Sequence, residues 1–348
     1  MKKFIIIVVI FFAVVLGIIY FLNRFLVEKQ NSLVVKRSAV IGFSMGTTRE
    51  ERWFKDRDLF IERAQELGAE VIVTLSDYDV QKQILQIENL IGQGVDVIVV
   101  IPSDSEKIGE AIEAANKAGV KVIAYDRLIK DGNIDSYISF DNVKVGEMEA
   151  NSVLSVTPKG KFAYIGGSPT DNNASLLKEG TMNILAPYIS SGEIDLVVDK
   201  FTPDWKPEEA YKTIKEYLNS GKTIDAVIAA NDGTASGVIQ ALKEKGLDGK
   251  VPVSGQDAEL SAAQRIVAGT QISTVYKPIK SLAFKAAEIA VTLANGQTPE
   301  TNSSINNGKI DVPAYLLDPI LVDKTNMLET IIKDGFHTYE EVYGVATK

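Results

Sequence analysis

The sequence predicts an α/β protein of two doubly wound parallel-sheet lobes, preceded by an amino-terminal transmembrane helix. From residue 38 onward, short apolar segments alternate with amphipathic ones, which is typical of a parallel sheet covered by helices. The alternation restarts near residue 160, so the chain holds more strands than a single sheet needs. Residues 4–22 carry no charged side chain, which is close to the ~20 apolar residues that cross a bilayer.

The amino-terminal segment is predicted to be an uncleaved signal anchor. Lys2 and Lys3 precede the apolar stretch, as they do in a secretory signal. Residues 20–25 offer no small-residue cleavage site, and the chain has no cysteine to carry a lipid. We therefore predict an anchor over residues 1–25 and a stalk over residues 26–37, with a cleaved signal peptide as the alternative. This predicts a single-pass cell-membrane protein whose lobes lie outside the cytoplasm.

The first half of the chain is predicted to form alternating strands and helices. Gly68 is a suitable end for the first helix, and Ile84, Ile87 and Ile91 share one face of the second. Pro102 stops the third strand, and Ser105 is a plausible cap for the next helix. In order, the predicted elements are strand 38–44, helix 49–68, strand 69–75, helix 80–94, strand 95–101, helix 105–119, strand 120–125 and strand 136–140.

The second half of the chain is predicted to repeat this alternation of strands and helices. Its predicted strands are 161–166, 195–198, 225–230, 251–254 and 273–276, and its predicted helices are 173–189, 207–219, 234–245 and 260–268. After a further amphipathic helix over 279–295, residues 302–315 are polar and are predicted to be a loop. Residues 316–322 form the last candidate strand, and the tail is predicted to be mixed helix.

Composition excludes several classes of function. The net charge of −9 argues against a protein that binds a nucleic-acid backbone. The absence of cysteine rules out disulfides, thiolate metal sites and cysteine nucleophiles, and the single histidine, His337, cannot form a multi-histidine metal site. We predict no metal, no cofactor and no catalytic residue. Carboxylate-based glycoside chemistry, using Asp126 and Asp257, stays open as an alternative.

Polar residues follow the predicted strands where ligands bind in open α/β sheets. Asp126 and Arg127 end the strand 120–125, and this pair of acceptor and donors suits a sugar hydroxyl, which both gives and takes a hydrogen bond. A purely structural ion pair is the alternative. The other strand-end or loop candidates are Arg52, Trp53, Asn173, Trp205, Asn231, Asp257 and Lys277.

Each of these candidates also has a structural explanation. The 171–173 segment and Asn231 could simply cap helices, and Trp53 could cover core. Taken together, planar polar groups and two tryptophans fit a monosaccharide, whose hydroxyls need hydrogen bonds and whose C–H faces need aromatic rings. Neither a dinucleotide-binding glycine motif nor a P-loop lysine motif is present.

The sequence resembles the type I periplasmic sugar-binding family, and within it the members that bind D-xylose. The resemblance runs from about residue 41 to residue 336. It rests on Arg-Trp-x-Lys-Asp-Arg-Asp (52–58), Gln-Ile-Glu-Asn (86–89), Ala-Tyr-Asp-Arg (124–127), Gly-Gly-Ser-Pro-x-Asp-Asn-Asn-Ala (166–174), Ser-Gly-Gln-Asp-Ala (254–258) and Lys-Asp-Gly-Phe-His (333–337). The family fold implies three crossovers, near 141–143, 278–279 and 316–321. The implied lobes are 38–142 with 279–315, and 143–278 with 316–348.

The resemblance also implies the ligand contacts and the function. Its sugar contacts would be Arg52, Asp126, Arg127, Asn173, Asn231, Asp257 and Lys277, with Trp53 and Trp205 stacking on the ring. The implied protein is not an enzyme; it closes its lobes on D-xylose. Because this chain carries an apolar amino terminus, it resembles the variant that signals to a membrane sensor histidine kinase of a two-component system.

The alternative is the substrate-binding subunit of a xylose ABC importer, with a permease as partner. A sugar-responsive transcription factor shares the lobes, but it would need a DNA-binding helix-turn-helix in place of residues 1–37. We therefore expect no nucleic-acid partner.

Overall fold

The computed structural model describes residues 16–24 and 37–344. The strands are β1 Val40–Met45, β2 Glu70–Leu75, β3 Val97–Ile101, β4 Lys121–Tyr125, β5 Ser136–Phe140, β6 Gly160–Gly166, β7 Ile194–Phe201, β8 Ala226–Ala229, β9 Ser273–Tyr276, β10 Ser303–Asn306, β11 Asp311–Leu317 and β12 Ile320–Asp323. The helices of residues 37–344 are α1 Arg52–Glu66, α2 Val80–Gly92, α3 Gly109–Lys117, α4 Asn142–Val156, α5 Asn172–Ser191, α6 Pro207–Asn219, α7 Asp232–Lys243, α8 Leu260–Ala268, α9 Ile279–Ala294 and α10 Tyr339–Tyr343.

The first lobe is built on a seven-stranded sheet in the order β10-β11-β5-β4-β3-β1-β2. All its pairings are parallel except that of β10 with β11. Helices α1 and α9 cover one face and α2 and α3 the other, which buries every residue of β3. Burial on both faces explains why the central strands are continuously apolar in sequence.

The second lobe is built on the parallel strands β7-β6-β8 and the antiparallel pair β12-β9. The segment 251–257 lies between these two groups, because Val253 bridges to Val227 of β8 and Gln256 bridges to Val275 of β9. The strand predicted over 251–254 is therefore reduced to bridges. Separate apolar clusters lie on the two sides of β6 and β8.

The chain passes between the sheets at three places. It leaves β5 for α4 at Asp141, leaves β9 for α9 through Lys277 and Pro278, and leaves β11 for β12 through Asp318 and Pro319. Helix α9 and the β10–β11 hairpin, although late in sequence, thus belong to the first lobe. β11 extends to Leu317, two residues beyond position 315, where the first lobe was predicted to end. The division into lobes by residue range otherwise stays a prediction.

Further sequence-based predictions of local structure were wrong. Residues 302–315 form the β10–β11 hairpin rather than a loop, because Ile305, Val312 and Ala314 pack into the first lobe while their neighbours face outward at the sheet edge. The predicted helix 105–119 begins only at Gly109. Ser105 does not cap it; its backbone N–H donates to the carbonyl of Thr170 at 2.9 Å.

The predicted anchor over 1–25 and the stalk over 26–37 lie largely outside the described residues. Residues 16–24 are helical. Within the described ranges, no helix combines the length and apolar character that crossing a membrane requires.

Candidate functional site

The site is a cavity between the two lobes, at the carboxyl ends of the strands, with about 290 Å³ of empty space when the solvent at its opening is included. All nine residues that the sequence predicted line it, and three further residues join them. The lining residues are Glu50, Arg52, Trp53, Asp126, Arg127, Asp171, Asn173, Trp205, Asn231, Gln256, Asp257 and Lys277. The structure thus brings the candidates together, while their role in contacting a ligand stays a prediction.

The first lobe presents its site residues from two elements. Arg52 and Trp53 lie in the first turn of α1, and Asp126 and Arg127 directly follow β4. All four are buried. The guanidinium groups of Arg52 and Arg127 lie 4.5 and 5.3 Å from the centre of the Trp53 ring, so this indole is in contact with two cations.

The second lobe presents its residues from helix starts and strand ends. Asn231 is the N-cap of α7, and its Oδ1 accepts the backbone N–H of Thr234 at 2.8 Å. Asn231 can therefore cap the helix and line the cavity at the same time, because capping occupies only its amide oxygen. Asn173 lies in the first turn of α5, and Lys277 follows β9 at a crossover between the lobes.

Three site residues have strained backbones. Asp126, Trp205 and Asp257 have φ angles of 61°, 58° and 89°, in the left-handed region that non-glycine residues seldom adopt. Such conformations persist only where the surrounding structure holds them, and they cluster at functional sites. The three residues come from both lobes, so each side of the cavity contains strain.

Arg52 links the carboxylates of the two lobes. Its guanidinium lies 3.1 Å from Asp56 and 2.9 Å from Asp126 in the first lobe, and 3.4 Å from Asp257 in the second. Burial alone would raise the pKa of Asp126, but the charges of Arg52, Lys277 and Arg127 hold that pKa below its ordinary value. Asp126 is therefore an ionised acceptor at neutral pH.

Asp171 makes a second link across the cavity. Its Oδ2 lies 2.8 Å from Nε of Arg127, and it accepts the Trp205 indole N–H at 3.1 Å. Its other oxygen accepts the backbone N–H of Asn173 at 3.0 Å, which caps α5. Burial raises the pKa of Asp171, and the Arg127 charge opposes this. One carboxylate thus orients three of the predicted site residues.

Several buried acceptors in the cavity lack a donor. Oε1 of Glu50, Oδ1 of Asn173 and Oε1 of Gln256 have no hydrogen-bond partner among the described residues, although all three side chains are buried. An unpaired buried acceptor costs about 1–3 kcal/mol, so such atoms call for a donor from elsewhere. Hydroxyl groups of a small polyol would supply these donors.

The geometry disfavours a pair of catalytic carboxylates. A glycosidase needs one carboxyl group with a raised pKa to act as an acid. Here Asp126 has a lowered pKa, and both Asp126 and Asp257 are paired with Arg52. Within residues 16–24 and 37–344, no group of three or more histidine, cysteine or acidic side chains is arranged to hold a metal ion.

Sequence reasoning missed three lining residues, Glu50, Asp171 and Gln256. The sequence indicates Asp171 only as part of a helix-capping turn, and its partner Arg127 is remote in sequence. Gln256 stands between Gly255 and Asp257 in a strand-end motif that could have singled it out. Glu50 lies in a run of charged residues before α1, where nothing in the sequence distinguishes it from an exposed side chain.

Comparisons with known proteins agree with this architecture. Residues 41–298 match the profile of a family described as periplasmic binding protein domain. The D-xylose-binding periplasmic protein of Haemophilus influenzae is 52% identical over 304 residues, covering 87% of this chain and 92% of that protein. The protein of the same name from Escherichia coli K12 is 50% identical over 303 residues, with the same two coverages, 87% and 92%.

A solved structure also resembles the chain. It is an ABC transporter solute-binding protein from Clostridium phytofermentans with bound β-D-glucose. It superimposes with a TM-score of 0.82 at 29% sequence identity, covering 87% of this chain and 99% of that one.

Proposed function

The chain belongs to the periplasmic binding protein family, and on that premise we propose that it binds D-xylose outside the cytoplasm and delivers it to an ABC importer. It is a binding protein rather than an enzyme. The observation that carries the proposal is the set of unpaired acceptors in a buried cavity framed by two tryptophans and by charged donors. The half-identical D-xylose-binding relatives support the choice of sugar.

The proposed contacts are the nine residues predicted from the sequence. Asp126 and Asp257 would accept hydrogen bonds from sugar hydroxyls, while Arg52, Arg127 and Lys277 would donate. Asn173 and Asn231 would engage neighbouring hydroxyls, and Trp53 and Trp205 would lie against the C–H surface of the ring. Because the contacts come from both lobes, a bound sugar would hold the lobes together.

Import is better supported than the kinase signalling expected from the sequence. The solved relative with bound glucose is described as an ABC transporter protein, and no finding points to a histidine kinase. Signalling through a kinase stays a second candidate because residues 4–22 are uncharged and long enough to tether the lobes to a membrane. A tether would raise the effective concentration of the lobes near either membrane partner.

Calorimetric titration with a panel of pentoses and hexoses tests the ligand. We expect D-xylose to bind most tightly, with one sugar per chain. A hexose that binds more tightly would change the proposed substrate. An absence of heat with every sugar of the panel would overturn the proposed function.

Affinity capture from membranes of the native host, with and without D-xylose, tests the partner. Under the import proposal, permease components are recovered and their yield depends on the sugar. Recovery of a sensor histidine kinase without permease components would replace import by signalling. This outcome would leave the proposed sugar site unchanged.

A further inference from the structure

Glu50 is a buried acid in the cavity that neither the sequence motifs nor the family resemblance assigned to the ligand. It lies just before α1 and is 6% exposed. Its side chain lines the cavity beside Arg52 and Trp53. A glutamate this deeply buried needs partners for both carboxyl oxygens.

Only one of those oxygens has a partner. Oε2 accepts the indole N–H of Trp53 at 2.5 Å, which fixes the orientation of both side chains. Oε1 is buried and has no hydrogen-bond partner among the described residues. Burial raises the pKa of Glu50, the charge of Arg127 opposes this, and Asp257 adds to it more weakly. The carboxyl group is thus held in place without being satisfied.

A ligand hydroxyl is the donor that this arrangement fits. The carboxyl group is anchored through Trp53, so Oε1 keeps its position without a ligand and no side-chain entropy is lost when a donor arrives. The hydroxyl groups of a neutral polyol supply such a donor.

We propose that Glu50 is a further ligand-contacting residue, whose Oε1 accepts a hydrogen bond from one sugar hydroxyl and selects for sugars that carry it. The inference rests on the proposed function, because it uses the same cavity and the same ligand. It adds a selectivity contact to the nine residues already proposed. The competing explanation is that Glu50 only holds Trp53 in place.

The two explanations are separated by titrating the wild-type chain, Glu50→Leu and Glu50→Gln with D-xylose and with the analogues that each lack one hydroxyl. Glu62→Gln, an exposed change on α1, is the matched control. Thermal unfolding of each variant checks that it is folded. If Glu50→Leu does not fold, Glu50→Gln is used instead: its oxygen can keep the Trp53 contact, an amide donor replaces the acceptor Oε1, and its change in affinity is compared across the same analogues.

For D-xylose we expect Glu50→Leu to weaken binding about 10- to 100-fold, as for a buried polar group left without its hydrogen-bond partner. One analogue should bind to the variant and to the wild type with almost equal affinity, because that analogue already lacks the hydroxyl that Glu50 contacts. A loss of the same size for D-xylose and every analogue would overturn the inference and leave Glu50 as a support for Trp53. Failure of the wild type to bind D-xylose would instead overturn the proposed function.

Discussion

Asp126 and Asp257 combine an unusual backbone conformation with a charge paired to the same arginine. Their positive φ angles place both carboxylates at the cavity, and Arg52 bridges them across the lobes. Removing one member of such a network leaves its partners buried and unpaired. Leaving a charge buried and unpaired costs more free energy than any single contact in the network contributes.

We therefore expect Arg127→Ala and Asp257→Ala each to abolish measurable D-xylose binding while the fold is retained. Loss of one partner from a buried charged network costs roughly 2–5 kcal/mol of binding free energy. Calorimetry measures the affinity, and circular dichroism checks the fold. Lys117→Ala removes an ion pair whose side chains are both exposed and should leave the affinity unchanged. Near wild-type affinity in both cavity variants would refute the site.

Gly167 is predicted to be essential for the position of Trp205. A Cβ at Gly167 would lie 2.1 Å from the Trp205 ring, so an alanine there must displace the indole. We expect Gly167→Ala to weaken D-xylose binding roughly tenfold or more, in line with about 1–3 kcal/mol for overpacking. Titration and tryptophan fluorescence measure the effect. Gly92→Ala, whose Cβ would meet no atom within 4 Å, should bind as the wild type does.

Among single residues, the sequence predicted as site residues those that directly follow a strand and those of a type unusual for their position. Asp126 and Lys277 directly follow buried strands, and a tryptophan between two prolines, Trp205, attracts notice by itself. Glu50 and Asp171 could not be singled out in this way, because their importance lies in contacts with particular atoms of Trp53 and Arg127. Local patterns do not contain such contacts.

At the level of elements, amphipathic helices were predicted best. The predicted helices 207–219 and 260–268 coincide with α6 and α8, whose apolar residues recur at helical spacing. The β10–β11 hairpin was missed because an edge strand leaves half of its residues exposed and polar. Its turn is held by Asn307, whose Oδ1 accepts the backbone N–H groups of Lys309 and Ile310.

The α4–α5 pair packs closely because glycines stand where the helices cross. A Cβ at Gly146 would lie 2.0 Å from the carbonyl oxygen of Leu177, and one at Gly180 would lie 1.9 Å from that of Val143. Neither obstacle is a flexible side chain, so an added methyl group must separate the two helices. Their spacing is therefore set by these two residues.

Gly180→Ala should lower the free energy of unfolding by about 1–3 kcal/mol, the usual range for overpacking. Urea-induced unfolding followed by circular dichroism measures the change. Gly109→Ala in α3, where a Cβ meets open space, provides the comparison and should not destabilise the protein. If both variants unfold at the wild-type midpoint, the helices can separate without cost and the packing argument is wrong.

On the scale of the whole molecule, the cavity is confined to one compact unit. Contacts group residues 39–348 as a unit distinct from residues 1–38, and every lining residue lies between positions 50 and 277. Direct contacts between the lobes, such as that of Arg127 with Asp171, also fall inside this unit. Sugar binding should therefore not depend on the amino-terminal segment.

Removal of residues 1–36 is expected to give a protein that binds D-xylose with unchanged affinity. The full chain in detergent is the reference, and both are titrated under the same conditions. Aggregation of the shortened chain, or a weaker affinity, would mean that the amino-terminal segment contributes to the fold of the lobes.

The three passages between the sheets have a consequence for synthesis on the ribosome. β11 pairs with β5, and α9 packs against β3, β4 and β5, yet both are translated after most of the second lobe. A nascent chain that has emerged only as far as residue 278 lacks α9 and an edge of its first sheet. The second lobe is also unfinished at that point, because β9 has yet to pair with β12, so neither lobe can be completed until the last part of the chain has been synthesised.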